Sequence, residues 1–73
     1  MTNLMQRVIS GYHKYCRDPY LRDGQRWFLA LHDANPSLAK NITGHEKYDP
    51  FYKDDNISDF MSWLTRTSEL SNN

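Results

Sequence analysis

Apolar residues recur at spacings of three and four in four separate stretches of the chain, the period of one face of an α-helix. In the first stretch Leu4, Met5, Val8, Ile9, Tyr12, Tyr15 and Cys16 share a face, which predicts a helix from about Asn3 to Cys16. Asn3 and Gln6 stand at the spacing of a capping pair. Gly11 falls in mid-helix, where it costs about 1 kcal/mol relative to Ala, so close packing against a neighbour is its expected role. Arg17-Asp18-Pro19-Tyr20 ends the pattern, because Pro19 cannot continue a helix and pushes Asp18 toward an extended backbone. A second helix follows, with Asp23 as its expected N-cap and Trp27, Phe28, Leu31 and Ala34 as its buried stripe.

Asn35-Pro36 restarts the chain: Asn35 suits an N-cap, and Pro36 suits a first helical position that needs no amide donor. The third helix is short, from Pro36 to about Thr43, with Leu38, Ala39 and Ile42 inward and Gly44 at the left-handed C-cap. Periodicity then lapses. His45 to Asp55, centred on Tyr48-Asp49-Pro50-Phe51-Tyr52, reads as an irregular loop that is long for a compact domain, and such loops are often functional. Asn56 is expected to cap the last helix, in which Ile57, Phe60, Met61 and Leu64 form the stripe. Asp54, Asp55 and Asp59 favour the positive end of its dipole. Residues 68–73 are polar and are expected to fray. The fold class is all-α: one four-helix domain over residues 1–73, with a long irregular loop before the last helix.

Length and composition narrow the function classes. At 73 residues the chain is too short for a TIM barrel or a Rossmann unit. Aromatics make up 14% and charged residues 25%, which speaks against a disordered segment. So small a domain buries little surface, and ten aromatic side chains, or a homodimer, are the two ways to enlarge its core. The longest apolar run, Trp27 to Leu31, is far below the roughly 20 residues of a membrane span. Met1-Thr2-Asn3 opens no signal peptide, and the single Cys16 cannot form an internal disulfide, so a cytoplasmic, reducing setting is expected.

Candidate chemistry is sparse. Cys16 falls on the apolar stripe of the first helix, where a cysteine is an inert hydrophobe, and His13 three residues away does not make it a nucleophile. His45, Glu46, Asp49, Asp54 and Asp55 gather metal donors in one loop but match neither a zinc nor a calcium spacing, so no metal is expected. Gly11, Gly24 and Gly44 are isolated, and no phosphate-binding loop is present. No cofactor and no enzymatic activity are expected, for want of a matched acid and base.

Charge leaves a choice of partner. The chain is neutral overall, with nine basic and nine acidic residues, which excludes an acidic mimic of DNA. It is nevertheless polarised: residues 1–40 carry six basic and three acidic side chains, and residues 41–73 carry three and six. Arg17, Arg22 and Arg26, with Tyr20, form a candidate nucleic-acid patch beside the second helix. Helices 2 and 3 have the order of a helix-turn-helix, but the third is short and holds one basic residue, unlike a groove reader. Protein binding suits the composition better, because Tyr, Trp and Arg dominate interface hot spots. The candidate partner-binding residues are Tyr20, Arg22, Tyr48, Tyr52, Lys53, Asp54 and Trp63, the loop aromatics having core closure as their alternative role.

Gly24-Gln25, Phe28, Leu31, Pro36, Leu38-Ala39, Ile42, Gly44, Asp49-Pro50-Phe51-Tyr52, Asp55, Ile57, Phe60 and Trp63 together resemble a pattern of short uncharacterised proteins of bacteriophages and bacterial genomes. The Asp-Pro-Phe-Tyr element is its most specific part. The resemblance covers residues 24–63, implies a small helical fold and a phage-type origin, and implies no activity. In it, Phe28, Leu31, Leu38, Ile42, Phe60 and Leu64 would build the core, and the Asp-Pro-Phe-Tyr turn would pin Phe51 under the last helix. The functional expectation is a small accessory protein of host takeover or anti-defence type. It would inhibit or modulate a host or defence protein by stoichiometric contact; the alternative is a nucleic-acid-associated regulator.

Overall fold

A computed structural model describes residues 3–71. Helix α1 spans Leu4–Tyr15, α2 Asp23–Ala34, α3 Pro36–Ile42 and α4 Ile57–Ser71, with a 3-10 turn at Asp54–Asn56 directly before α4. Among the described residues there is no strand, and the all-α four-helix reading holds. No helix there is long and apolar enough to cross a membrane.

Local sequence sets most helix boundaries. At α1 the capping box forms: Gln6 N–H donates to Asn3 Oδ1 at 2.8 Å, and Asn3 N–H donates to Gln6 Oε1 at 3.2 Å. Asn35 caps α3 by accepting from Leu38 N–H, with Pro36 at the first helical position. Gly44 ends α3 at φ +77°, the left-handed conformation that an L side chain resists.

The core is built from Leu4 and Val8 of α1, Ala30 and Leu31 of α2, Ala39 and Ile42 of α3, and Phe60 and Leu64 of α4. Phe28 and Leu38, also expected there, pack against it half-buried. Helices α1 and α2 approach closely where Gly11 meets Ala30: a β-carbon on Gly11 would lie 3.1 Å from Ala30 Cβ, so the expected packing role is met. Tyr12 stacks on Trp27 at 3.9 Å between ring centroids.

Six expectations are corrected. Cys16 is exposed, because α1 ends at Tyr15 and Cys16 lies past the buried stripe; Ile9, at the edge of that stripe, is exposed as well. The N-cap of α2 is Arg22, with Asp23 the first helical residue, since the Asp23 carboxylate is taken by the Tyr12 hydroxyl. Phe51 packs edge-on against Phe28 of α2, at 5.5 Å, instead of under α4. The Asn56 amide turns back to donate to the Glu46 and Asp49 carbonyls, tying the loop and not the helix. Residues 68–71 continue α4, and Ser68 is buried with its Oγ accepting from Met5 N–H; residues 72 and 73 lie outside the described residues.

Two tyrosine–aspartate pairs fasten α1 to α2. Tyr12 donates to Asp23 Oδ1, and Tyr15 donates to Asp33 Oδ2 at 2.6 Å. Both phenols are held above their ordinary range near 10, first by the bonded carboxylate and then by burial. A folded-state pKa above the unfolded value means that this stabilisation is complete below about pH 10 and is lost as the pH rises through the folded value. The protein is therefore expected to lose stability in strong alkali. Tyr12→Phe should cost about 1 kcal/mol at neutral pH and flatten that alkaline loss, as read by urea midpoints from pH 7 to 11. An alkaline slope identical to wild type would show that Tyr12 is not the group responsible.

Candidate functional site

The loop between α3 and α4 is irregular in trace but closely held. Buried Asp49 is its hub: Oδ2 accepts from Gly44 N–H at 2.7 Å, and Oδ1 accepts from Phe51 N–H at 2.9 Å. The second bond is the local Asx turn that an Asp before Pro favours. Asn56 bridges the loop ends by donating to Glu46 O at 2.7 Å and Asp49 O at 3.0 Å. His45 folds over the start of the loop, its ring stacked on Tyr48 at 4.7 Å.

The far side of this loop docks on the N-terminus of α2. Arg22 offers α2 no acceptor for its first amides; Gln25 Oε1 reaches back to Arg22 N–H, and Asp54 Oδ1 arrives from 30 residues away to accept from Gly24 N–H at 3.0 Å. A carboxylate there satisfies an orphan donor and faces the positive end of the helix dipole. The Arg22 guanidinium completes the junction, donating to Asp54 Oδ1 at 3.1 Å and to Phe51 O at 2.7 Å. Because the ion pair is nearly half exposed, its worth is small, and the shared carboxylate and backbone bonds matter more. Gly24 is buried against the Pro50 carbonyl, and only a residue without a side chain fits that approach.

This docking leaves Tyr52 70% exposed, and the residue lines two clefts. One cleft, of about 150 Å³, is lined by Gly44, His45, Glu46, Lys53 and Asn56 together with Asp49 and Tyr52. The other, of about 130 Å³, is more apolar and is lined by Phe28, Thr43 and Phe51 with the same Asp49 and Tyr52.

No protein-family model matches the chain, and no curated protein or solved structure is significantly similar to it.

The structure brings some of the candidate residues together and separates others. Arg22, Tyr52, Lys53 and Asp54 belong to one surface around the loop–α2 junction, and Tyr20, 92% exposed, lies two residues before Arg22. Tyr48 is half-buried under His45, and Trp63 is half-buried beside Phe60 at 6.0 Å; both also close the core. In the basic set Arg17 is exposed, while Arg22 and Arg26 spend donors on their own chain, Arg26 through Nη2 to Asp18 O at 2.9 Å. Among the described residues no group of three or more His, Cys, Asp and Glu side chains is arranged to hold a metal.

His45, Gly44 and Asn56 line the cleft without standing among the candidate binding residues of the sequence. A glycine at a helix end and an asparagine before the next helix read locally as punctuation, and the histidine reads as one donor of a loop without metal spacing. Their shared wall exists only once Asn56 has folded back on the loop.

Proposed function

We propose that the chain is a small phage-type accessory protein that binds a host or defence protein and inhibits or modulates it by stoichiometric contact. The contact surface is centred on Tyr52, with Arg22, Lys53, Asp54 and Tyr20 around it. One observation carries this reading: an exposed tyrosine lines two clefts and stands on a loop held by its own hydrogen bonds. Tyrosine supplies a large contact area with few torsions to freeze, and a loop ordered before binding avoids much of the entropy cost of association. Occlusion of a functional surface is a mechanism within reach of so small a domain, and it requires no catalytic group. A cytoplasmic location is part of the same reading.

Tagged protein recovered from bacterial lysate, with and without nuclease, should retain one protein at near-equal stoichiometry in both samples. With that protein purified, Tyr52→Ala is expected to weaken binding about 30-fold, equivalent to about 2 kcal/mol, while leaving the folded stability within about 0.5 kcal/mol of wild type. Titration calorimetry and urea unfolding on the same preparations separate the two effects. Disappearance of every partner after nuclease treatment would replace this reading with the nucleic-acid regulator built on Arg17, Arg22 and Arg26. Unchanged affinity of Tyr52→Ala would move the interface elsewhere on the molecule.

A further inference from the structure

His45 holds its loop in a way that only one protonation state permits. Its Nδ1 accepts from the backbone N–H of Lys47 at 3.2 Å and of Tyr48 at 3.3 Å, so this nitrogen carries no proton and the neutral ring keeps its hydrogen on Nε2. The backbone of the same residue ties the turn at both ends: His45 N–H donates to Ile42 O at 2.9 Å, and His45 O accepts from Asp49 N–H at 3.1 Å. The ring also forms part of the wall of the cleft beside Tyr52.

We propose that His45 is an acid-sensitive catch for the 45–48 turn, and that protonation of its Nδ1 releases the Lys47 and Tyr48 amides and loosens the cleft wall. A proton on Nδ1 sets one donor against two others, and the ring must then leave its place over the turn. The groups facing it are few. Glu46, Asp49, Tyr52 and Lys53 line the same cleft, the Tyr48 ring stacks on the imidazole, and the Lys47 ammonium lies 5.6 Å from the centre of the Tyr48 ring. From α3 the Ile42 carbonyl is taken by the His45 backbone N–H, and from the 3-10 turn Asn56 lines the same cleft. Glu46 and Asp49 attract an imidazolium, but both Asp49 oxygens already accept, from Gly44 and Phe51, and so do not replace the imidazole nitrogen as acceptor. Of these side chains, only the imidazole is of a type that ordinarily changes charge between about pH 5 and 8.

The inference needs no partner, and its test uses the free protein. Nitrogen-15 spectra of the imidazoles at about pH 7.5 should show His45 as the Nε2–H tautomer. Amide-exchange protection at Lys47 and Tyr48, corrected for intrinsic rates, should fall about five-fold between roughly pH 7.5 and 5.5, while that of α1 stays constant. His45→Asn should keep the protection at both pH values, because an asparagine oxygen accepts the same amides as an Asx turn and does not titrate. An Nδ1–H tautomer at neutral pH would overturn the proposal. So would an equal loss of protection in His45→Asn, which would place the acid-sensitive group elsewhere.

Discussion

Gly24→Ala is expected to destabilise the protein by about 3 kcal/mol or more, although alanine is the better helix former. Two effects oppose each other at this position. In a helix, alanine gains up to about 1 kcal/mol over glycine. Against that, a β-carbon on Gly24 would overlap the Pro50 carbonyl oxygen and lie 2.7 Å from Asp54 Oδ1 and 3.0 Å from the Pro50 carbonyl carbon. The obstruction is backbone and a bonded carboxylate, so no side-chain rotation relieves it, and the loop must lift. Lifting it removes the Asp54–Gly24 bond, the Arg22 contacts to Asp54 and Phe51, and the packing of Phe51 on Phe28 together. Losses of that combined kind belong to the large end of single-residue effects. Urea unfolding of the purified variant reads the balance: a midpoint well below wild type is expected, and one at or above it would mean that helix propensity outweighs the docking contact.

That contact also marks the limit of what could be read along the chain. Features that depend on neighbours within four residues were legible: the Asn3–Gln6 box, the Asn35-Pro36 restart, the left-handed Gly44 and the turn at Asp49-Pro50. The errors share another cause. Asp23 does not cap α2 because Tyr12, eleven residues earlier, takes its carboxylate, and Asp54, thirty residues beyond Gly24, supplies the one that is missing. Ser68 reads as part of a polar tail, yet it is buried because Met5 brings it an amide from the other end of the chain. Ala30 lies outside the helical stripe of the sequence, since its role at the Gly11 crossing rests on small size and not on hydropathy.

The candidate site shows the same division. Tyr52, Arg22 and Asp54 were each legible as an aromatic or charged residue in or beside a loop. That Arg22 and Asp54 grip each other, and so hold up the surface from which Tyr52 projects, follows only from the fold. Several positions of the 24–63 sequence pattern meet at this junction: Gly24 lies under Pro50, Gln25 accepts from Arg22 N–H, and Phe28 receives Phe51. Folding alone explains those three positions, whereas Tyr52, also part of the pattern, is exposed, as are Tyr20 and Lys53 outside it.

Phe60→Ala is expected to leave little folded protein at 37 °C. A domain of this length has a total stability on the order of 4–11 kcal/mol, and truncating a buried phenylalanine costs about 3–5 kcal/mol. Phe60 has no exposed surface and is the largest of the fully buried side chains. Its ring joins α4 to α2 through Trp27, at 6.5 Å between centroids, and packs along its own helix with Trp63 at 6.0 Å. The size of the loss depends on whether those rings can close over the vacated space. Trp27 is held by its stack on Tyr12, which is itself bonded to Asp23, so one wall of the cavity is fixed. Trp63 is half-buried and has more freedom to move inward. Near-UV circular dichroism, which reports fixed aromatic packing, should therefore collapse in Phe60→Ala, whereas Phe60→Leu should keep most of its signal at a cost of about 1.5 kcal/mol. A loss in Phe60→Ala of only about 1 kcal/mol, with a changed but intense near-UV spectrum, would show that Trp63 fills the space and that the junction between α2 and α4 is softer than its burial implies.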